Sequence, residues 1–300
     1  MTKQQPITLI LDYPPFLRDS IRMTSQVQPL IDYLQQLQRK GQTHVHLDET
    51  ARKVMREFFL VAKGYKKGYK KNPSESLSQA ADETTSASVL IKGADQKEQI
   101  SSLIAQAENW PLAKTLGTLR DKLVFSNGNP DADIMLISDA PGYFEENKGH
   151  PFAGPAGEKL DGILKAMGLE RSEVYITHLV KYRPSMPNQT TANRKPSSDE
   201  IDAFAPFIDA EIKVVNPKVI VALGSVVAHH FIDDTAPIDQ LRGKFHQVSQ
   251  TQVPFRVTYH PSYLLQNEAH SDKRMIWEDM LALMAKIQMP ISEKQQNYFL

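Results

Sequence analysis

Two loops that lie far apart in the chain carry the residue types that a reactive pocket needs. Residues 138–142 follow an apolar run, residues 134–137, and residues 260–265 follow a second run, residues 255–259. Loops that follow parallel strands meet at the carboxyl edge of an open α/β sheet, where such sheets form pockets. His260 at the head of the second loop can donate a hydrogen bond to an anion that develops during a reaction. Both loops are therefore predicted to form one site.

Four glycines in and after the first loop indicate a close approach of its backbone to a ligand. They are Gly142, Gly149, Gly154 and Gly157. Because glycine has no Cβ, the backbone at these positions can fold tightly around a planar or phosphorylated group.

The two loops resemble the two signature motifs of a known family. The first reads Asp139-Ala-Pro-Gly142 followed by Gly149-x-Pro-Phe-x-Gly154, and the second reads His260-Pro-Ser-x-Leu-Leu265. They resemble the motifs of the uracil-DNA glycosylase superfamily, in its iron–sulfur form (family 4), and the resemblance covers residues 107–287. It implies a three-layer α/β/α sandwich around a central, mostly parallel sheet. It also implies an enzyme that flips a base out of DNA before cleaving its glycosidic bond.

The chain departs from this family at the four positions that hold the iron–sulfur cluster. Residue-by-residue matching places them at Ala107, Trp110, Tyr182 and Phe204, and the chain contains no cysteine. Such clusters are held by cysteine thiolates, so we predict that the protein has no cluster and no other cofactor. We expect the three aromatic rings to pack together instead.

Two further departures lie in the predicted pocket. Asp139 stands where the family usually has Glu, and His178 stands where it has an Asn that reads the edge of the flipped uracil. An amide presents a donor and an acceptor together, whereas those of a neutral imidazole lie on opposite sides of the ring. The substitution predicts either a changed base preference or a loss of turnover, and the sequence leaves both open.

The resemblance implies roles for the other pocket residues. Phe152 is expected to stack on the flipped base, and His260 is expected to donate to its carbonyl oxygen. Asp139, Glu145 or Glu146 would orient the attacking water. The backbone of the first loop completes the base-binding set, at Ala140, Pro141 and Gly142.

Contacts with DNA are predicted at the second loop and at a basic loop that follows the second predicted strand. The apolar side chains of the second loop would fill the space left by a flipped base; alternatively, its leucines begin a buried helix. The lysine-rich residues 63–71 would add phosphate contacts. The predicted DNA-binding residues are Pro261, Ser262, Tyr263, Leu264, Leu265, Lys181, Arg183, Arg194 and Lys195.

The pattern of the chain predicts four parts. Residues 1–71 form a helical extension with a basic end, residues 72–88 a flexible linker, residues 89–290 the glycosylase-like domain, and residues 291–300 a tail. Within the domain, apolar runs alternate with helical segments across Gly- and Pro-rich loops, which is typical of a parallel sheet covered on both faces.

Amino-acid composition and charge limit how the protein can bind DNA and whether it enters a membrane. The 300 residues are 41% hydrophobic and carry a formal net charge of zero, so DNA must be bound by local patches rather than by bulk charge. No apolar run approaches the roughly 18 residues of a membrane span. The early apolar residues 7–11 stop at Asp12 and two prolines, unlike a signal peptide. We expect a cytoplasmic protein without membrane contact.

The tail ends in aromatic residues that need a partner. Tyr298, Phe299 and Leu300 follow Gln295 and a polar stretch. The tail is predicted either to fold back on the N-terminal helices or to dock, as a short peptide, on a replication or repair protein such as a sliding clamp.

The sequence thus favours a DNA glycosylase that removes uracil or another modified base by hydrolysis. The alternative is a glycosylase-fold protein that no longer turns over and serves as a DNA-binding or replication-associated subunit.

Overall fold

The computed structural model describes residues 89–232, 236–248 and 251–300. The predicted helical extension, the lysine run at residues 63–71 and the linker at residues 72–88 lie outside the described residues.

A six-stranded sheet forms the centre of the fold. Its strand order is β2-β4-β3-β6-β8-β7, and β1 pairs separately with β5. The strands are β1 (Leu119–Leu123), β2 (Ser126–Gly128), β3 (Ile134–Ser138), β4 (Tyr175–His178), β5 (Tyr182–Pro184), β6 (Val219–Leu223), β7 (Phe245–Val248) and β8 (Thr251–Thr258).

The four inner strands are parallel, and both edge strands are antiparallel to their neighbours. Every residue of β3 and β6 is buried, as expected for parallel strands covered on both faces. The mostly parallel sheet is therefore confirmed. It aligns the carboxyl ends of β3 and β8, from which the two predicted loops start, with that of β4, which ends at His178.

Helices cover both faces of the sheet, which gives the predicted three layers. Met135 and Ile137 pack with α1, α5 and α6 on one face, while Ile134 and Leu136 pack with α4 and α8 on the other. This division follows from the alternation of side chains along a strand. The helices are α1 (Gln96–Glu108), α2 (Pro111–Leu116), α3 (Tyr143–Lys148), α4 (Pro155–Met167), α5 (Ser198–Val215), α6 (Ser225–Phe231), α7 (Ile238–Leu241), α8 (His270–Lys286) and α9 (Glu293–Gln296).

The four positions that match cluster ligands in the family come together in the core. The Tyr182 hydroxyl donates to the Ala107 carbonyl at 3.1 Å, and the Tyr182 and Phe204 ring centroids lie 5.8 Å apart. Trp110 Nε1 donates to the Ala203 carbonyl at 2.7 Å, and its ring meets Phe207 edge-on at 4.9 Å. These side chains offer no thiolate, so they do not fit an iron–sulfur cluster. We call the rings of Trp110, Tyr182, Phe204 and Phe207, together with the neighbouring Ala107, the aromatic cluster.

The C-terminal tail folds back onto α8, whereas the N-terminal helices named in the sequence prediction lie outside the described residues. Trp277 Nε1 donates to the Gln295 carbonyl at 2.6 Å, and the Trp277 and Tyr298 rings lie 5.3 Å apart. The Gln295 amide also donates to the Ala166 carbonyl of α4 at 2.9 Å. Only the last two residues of the tail leave apolar side chains exposed.

We expect Trp110→Ala to lower the free energy of unfolding by roughly 3–5 kcal/mol, because it removes a buried ring and leaves a cavity. Trp110 is 4% exposed, whereas nearby Leu112 is 48% exposed. Leu112→Ala is therefore the control and should change stability by less than about 0.5 kcal/mol. Urea denaturation measures both, and equal stability of the two variants would contradict the packing role of the aromatic cluster.

Candidate active site

The two predicted loops meet at the carboxyl edge of the sheet through a chain of hydrogen bonds. The Ser262 amide donates to Nδ1 of His260 at 3.1 Å, so Nε2 carries the ring proton. Nε2 lies 3.1 Å from Ser138 Oγ, which in turn lies 3.2 Å from Asp139 Oδ1. Every group is satisfied when His260 Nε2–H donates to the Ser138 hydroxyl and that hydroxyl donates to the Asp139 carboxylate.

His260 is held in its neutral form. Burial lowers the pKa of its ring and outweighs the Asp139 and Glu145 carboxylates, which act in the opposite direction. Near pH 7 the ring therefore presents one N–H donor and no positive charge.

Phe152 has a backbone conformation that is uncommon for a residue other than glycine. Its φ is +53°, in the left-handed region. Three contacts hold it there: its N–H donates to Glu145 Oε1 at 2.6 Å, its carbonyl accepts from Arg171 at 2.7 Å, and Gly157 lies against it. A Cβ at Gly157 would sit 1.8 Å from the Phe152 carbonyl oxygen, so only glycine fits. Strain of this kind persists where surrounding structure fixes it, often at functional sites.

The Phe152 ring lies nearly parallel to two histidine rings. The centroid of His260 is 5.3 Å away at an angle of 25°, and that of His178 is 6.0 Å away at 21°. Phe152 is 2% exposed. The structure thus brings the predicted stacking residue together with the predicted base-reading residue and the predicted leaving-group donor.

Glu145 connects two segments of the first loop by accepting hydrogen bonds from their backbone amides. Its Oε2 accepts from the Gly142 amide at 2.5 Å, and its Oε1 accepts from the Phe152 amide. Burial alone would raise the pKa of Glu145, but the His178 ring and these two amides lower it to about 2. Glu145 is therefore ionised, and both its oxygens are already engaged.

His178 ends β4 beneath the first loop and is 1% exposed. Its Nε2 lies 3.3 Å from Glu145 Oε1, but the two atoms lack the geometry of a hydrogen bond. Among the described residues, neither ring nitrogen has a hydrogen-bond partner. Buried polar atoms are normally paired, so the two ring nitrogens of His178 are exceptions to the usual pattern.

The loop amides are less available than the sequence suggested. The Gly142 amide is taken by Glu145, and the Ala140 amide donates to Asp139 Oδ1 at 3.0 Å. Pro141 has no N–H. Glu146 is also not part of the pocket chemistry, because it is paired with Arg183 and Arg120.

Three of the four basic residues predicted to contact DNA are engaged inside the protein. Lys181 is 0% exposed and donates to Glu211 at 2.5 Å, Arg183 is buried against Glu146 at 2.8 Å, and Arg194 pairs with Glu200 at 2.6 Å. The expectation of phosphate contacts is wrong for Lys181 and Arg183, because neither side chain reaches the surface. Lys195 remains exposed.

Lys181 has a structural function in this site. Its Nζ donates to the His178 carbonyl and to Thr177 Oγ1, both at 2.7 Å, and Glu211 also accepts from the Tyr175 hydroxyl at 2.8 Å. The buried pair therefore fixes the end of β4 that carries His178.

Some residues of the second loop are buried in the core, and others are exposed at the surface. Pro261 and Leu264 are buried, while Ser262 is exposed and Leu265 is 42% exposed. Tyr263 stacks on Tyr259 at 4.4 Å and donates to Asp272. Only one of the two leucines is thus placed to meet a ligand, and the other begins a buried turn, as the alternative reading of the sequence proposed.

Sequence reasoning assigned no role to Ser138, Arg171 or Glu211. Ser138 is buried at the end of β3, where a hydroxyl directly before the first motif was the available signal. Arg171 and Glu211 act through contacts with residues distant in the chain, for which one sequence contains no local pattern.

Comparisons with known proteins agree with this geometry. The family model described as the uracil DNA glycosylase superfamily matches residues 125–281. A type-4 uracil-DNA glycosylase from Thermotoga maritima is 35% identical over 193 residues, which are 61% of this chain and 93% of the relative. One from Sulfurisphaera tokodaii is 37% identical over 51% of this chain and 70% of the relative.

The fold, the strand-end site and these matches define the class of the protein as a DNA glycosylase, a hydrolase of N-glycosyl bonds. The chain belongs to the uracil DNA glycosylase superfamily. Within the described ranges, no helix has both the length and the apolar character needed to cross a bilayer.

We expect Lys181→Met to lower the free energy of unfolding by roughly 3–5 kcal/mol, because it leaves the Glu211 carboxylate buried without its partner. The double variant Lys181→Met/Glu211→Gln should recover much of this loss. Lys195→Met is the control and should change stability by less than about 0.5 kcal/mol. Urea denaturation would contradict the prediction if Lys181→Met and Lys195→Met unfolded alike.

Proposed function

We propose that the protein hydrolyses the N-glycosidic bond of uracil or another modified base after the nucleotide is flipped out of DNA. The observation that carries the proposal is the neutral His260, whose ring lies nearly parallel to the Phe152 ring and whose Nε2–H donates to Ser138 Oγ. A flipped base that stacks on Phe152 would place a carbonyl oxygen near this donor.

The chemistry assigns a task to each group. As the bond between C1′ and the base nitrogen breaks, its electron pair moves onto the base and the sugar gains positive charge. His260 stabilises the anionic base by a hydrogen bond from Nε2–H to its oxygen, which replaces the hydrogen bond to Ser138 Oγ. Water adds to C1′ and releases a proton, and the departing base takes up a proton to become neutral.

Asp139 is the best candidate to orient the water. Its Oδ1 accepts from Ser138 and from the Ala140 amide, while no described residue donates a hydrogen bond to its Oδ2. Glu145 is a weaker candidate, because its two oxygens already bind amides. The negative charge of Asp139 would also stabilise the sugar cation.

DNA contacts in this proposal come from exposed groups around the pocket. Leu265 would enter the space left by the flipped base, and Ser262 and Lys195 would meet phosphates. Phe144 on α3 is half exposed and covers Gly154, so it adds an apolar contact beside the first loop. A protein partner at the C-terminus would have to use Phe299 and Leu300, because the Tyr298 ring is packed on Trp277.

The defining experiment incubates the pure protein with oligonucleotides that each carry one modified base, followed by alkali, which breaks the strand at abasic sites. Breaks at one or a few bases support the proposal. Tight binding to the same oligonucleotides with no breaks at any base would instead favour a DNA-binding subunit without turnover.

We expect His260→Ala to reduce the single-turnover rate of base excision by roughly 10²- to 10³-fold, the usual effect of losing one oxyanion donor. DNA affinity should change little, since His260 acts on the departing base. His270→Ala, an exposed histidine at the start of α8, should keep the parent rate. A His260→Ala enzyme as fast as the parent would exclude this role.

The two leucines of the second loop should separate binding from stability. Leu265→Ala should weaken binding to a duplex that contains an abasic site, with a change in stability below about 0.5 kcal/mol. Leu264→Ala should cost roughly 2–5 kcal/mol of unfolding free energy, because Leu264 is 6% exposed. Fluorescence anisotropy and thermal unfolding measure the two effects. Unchanged affinity in Leu265→Ala would remove it from the DNA contacts.

A further inference from the structure

The His178 ring is the least satisfied buried polar group of the site. Both ring nitrogens are buried and lack a hydrogen-bond partner among the described residues. The ring lies nearly parallel to Phe152, the residue on which a base would stack. A base stacked on Phe152 would therefore lie next to this histidine.

The surroundings of His178 distinguish its two nitrogens. Nε2 lies 3.3 Å from a carboxylate oxygen of Glu145. An ionised carboxylate only accepts hydrogen bonds, and its negative charge so close to Nε2 favours the tautomer with the ring proton on Nε2, even without hydrogen-bond geometry between the two atoms. In a neutral imidazole the other nitrogen, Nδ1, then has a lone pair and no hydrogen.

We propose that His178, oriented by Glu145, presents Nδ1 as a single hydrogen-bond acceptor to the edge of the flipped base. The inference rests on the proposed function and names the substrate class of the same pocket. It selects bases that carry a hydrogen on the ring nitrogen of their pairing edge, such as uracil at N3 and hypoxanthine at N1. Cytosine and adenine have a lone pair at that nitrogen, which would oppose the lone pair of Nδ1.

The contact differs from that of an amide in a predictable way. An asparagine can donate to a base oxygen and accept from the neighbouring N–H together, whereas this ring can only accept. The ring consequently donates no hydrogen bond to the exocyclic oxygen beside that N–H, so this oxygen contributes little to base selection. Glu145 is a positioning residue here, since it acts through His178.

The first test compares three bases in one oligonucleotide sequence. Uracil has the N3–H and O4, 3-methyluracil replaces N3–H by N–CH3 and keeps both carbonyl oxygens, and 4-thiouracil keeps N3–H but has a weaker acceptor in place of O4. The parent should excise uracil and 4-thiouracil at similar rates and 3-methyluracil much more slowly.

The His178→Phe variant corrects for intrinsic differences between the leaving groups, because it keeps a ring but has no acceptor. The uracil to 3-methyluracil rate ratio should be roughly 10- to 100-fold higher in the parent than in His178→Phe. His178→Asn should increase the preference for uracil over 4-thiouracil, since its amide can donate to O4. Equal ratios in the parent and in His178→Phe would overturn the inference, while the absence of excision at every base would instead contradict the proposed function.

A second test does not depend on activity. Nitrogen-15 NMR of the imidazoles, assigned with His178→Asn, should show His178 protonated at Nε2 and unprotonated at Nδ1 at neutral pH. Glu145→Gln should remove this tautomer preference, and Glu278→Gln, at an exposed residue on α8, should leave it unchanged. A His178 ring that carries its proton on Nδ1, or on both nitrogens, would overturn the inference even in a protein without turnover.

Discussion

The ionised carboxylate of Glu145 is the interaction on which the rest of the site depends. It joins the amide of Gly142 to the amide of Phe152 and lies against the His178 ring. Hydrogen bonds to a charged group are about twice as strong as those between neutral groups. The first loop, the backbone of Phe152 and the end of β4 therefore meet at one carboxylate.

Below this unit, a second buried charge pair fixes the strand that supports it. Lys181 and Glu211 are removed from water, and their mutual attraction offsets a desolvation cost that is large for each alone. Because Lys181 also donates to the His178 carbonyl, the pair places the ring against Glu145. Glu145 in the site and the Lys181–Glu211 pair in the core thus both position His178.

The sequence was sufficient for the central layers of this fold and insufficient for its edges. The continuous apolar runs of β3 and β6 indicate buried strands, and the buried residues of α5 and α8 recur at helical spacing. Strands β1, β2 and β5 are short and include polar or half-exposed residues, so no such signal marks them. In the site, the motifs identified Phe152, His178 and His260, whereas the partners of Glu145 and the burial of Lys181 follow from contacts between distant segments, which a single sequence does not encode locally.

The aromatic cluster has a consequence for how the protein matures. At the positions that match cluster ligands, the rings of Trp110, Tyr182 and Phe204 supply the packing from the chain itself. Assembly of the domain core is then independent of cellular iron supply and of the machinery that builds clusters.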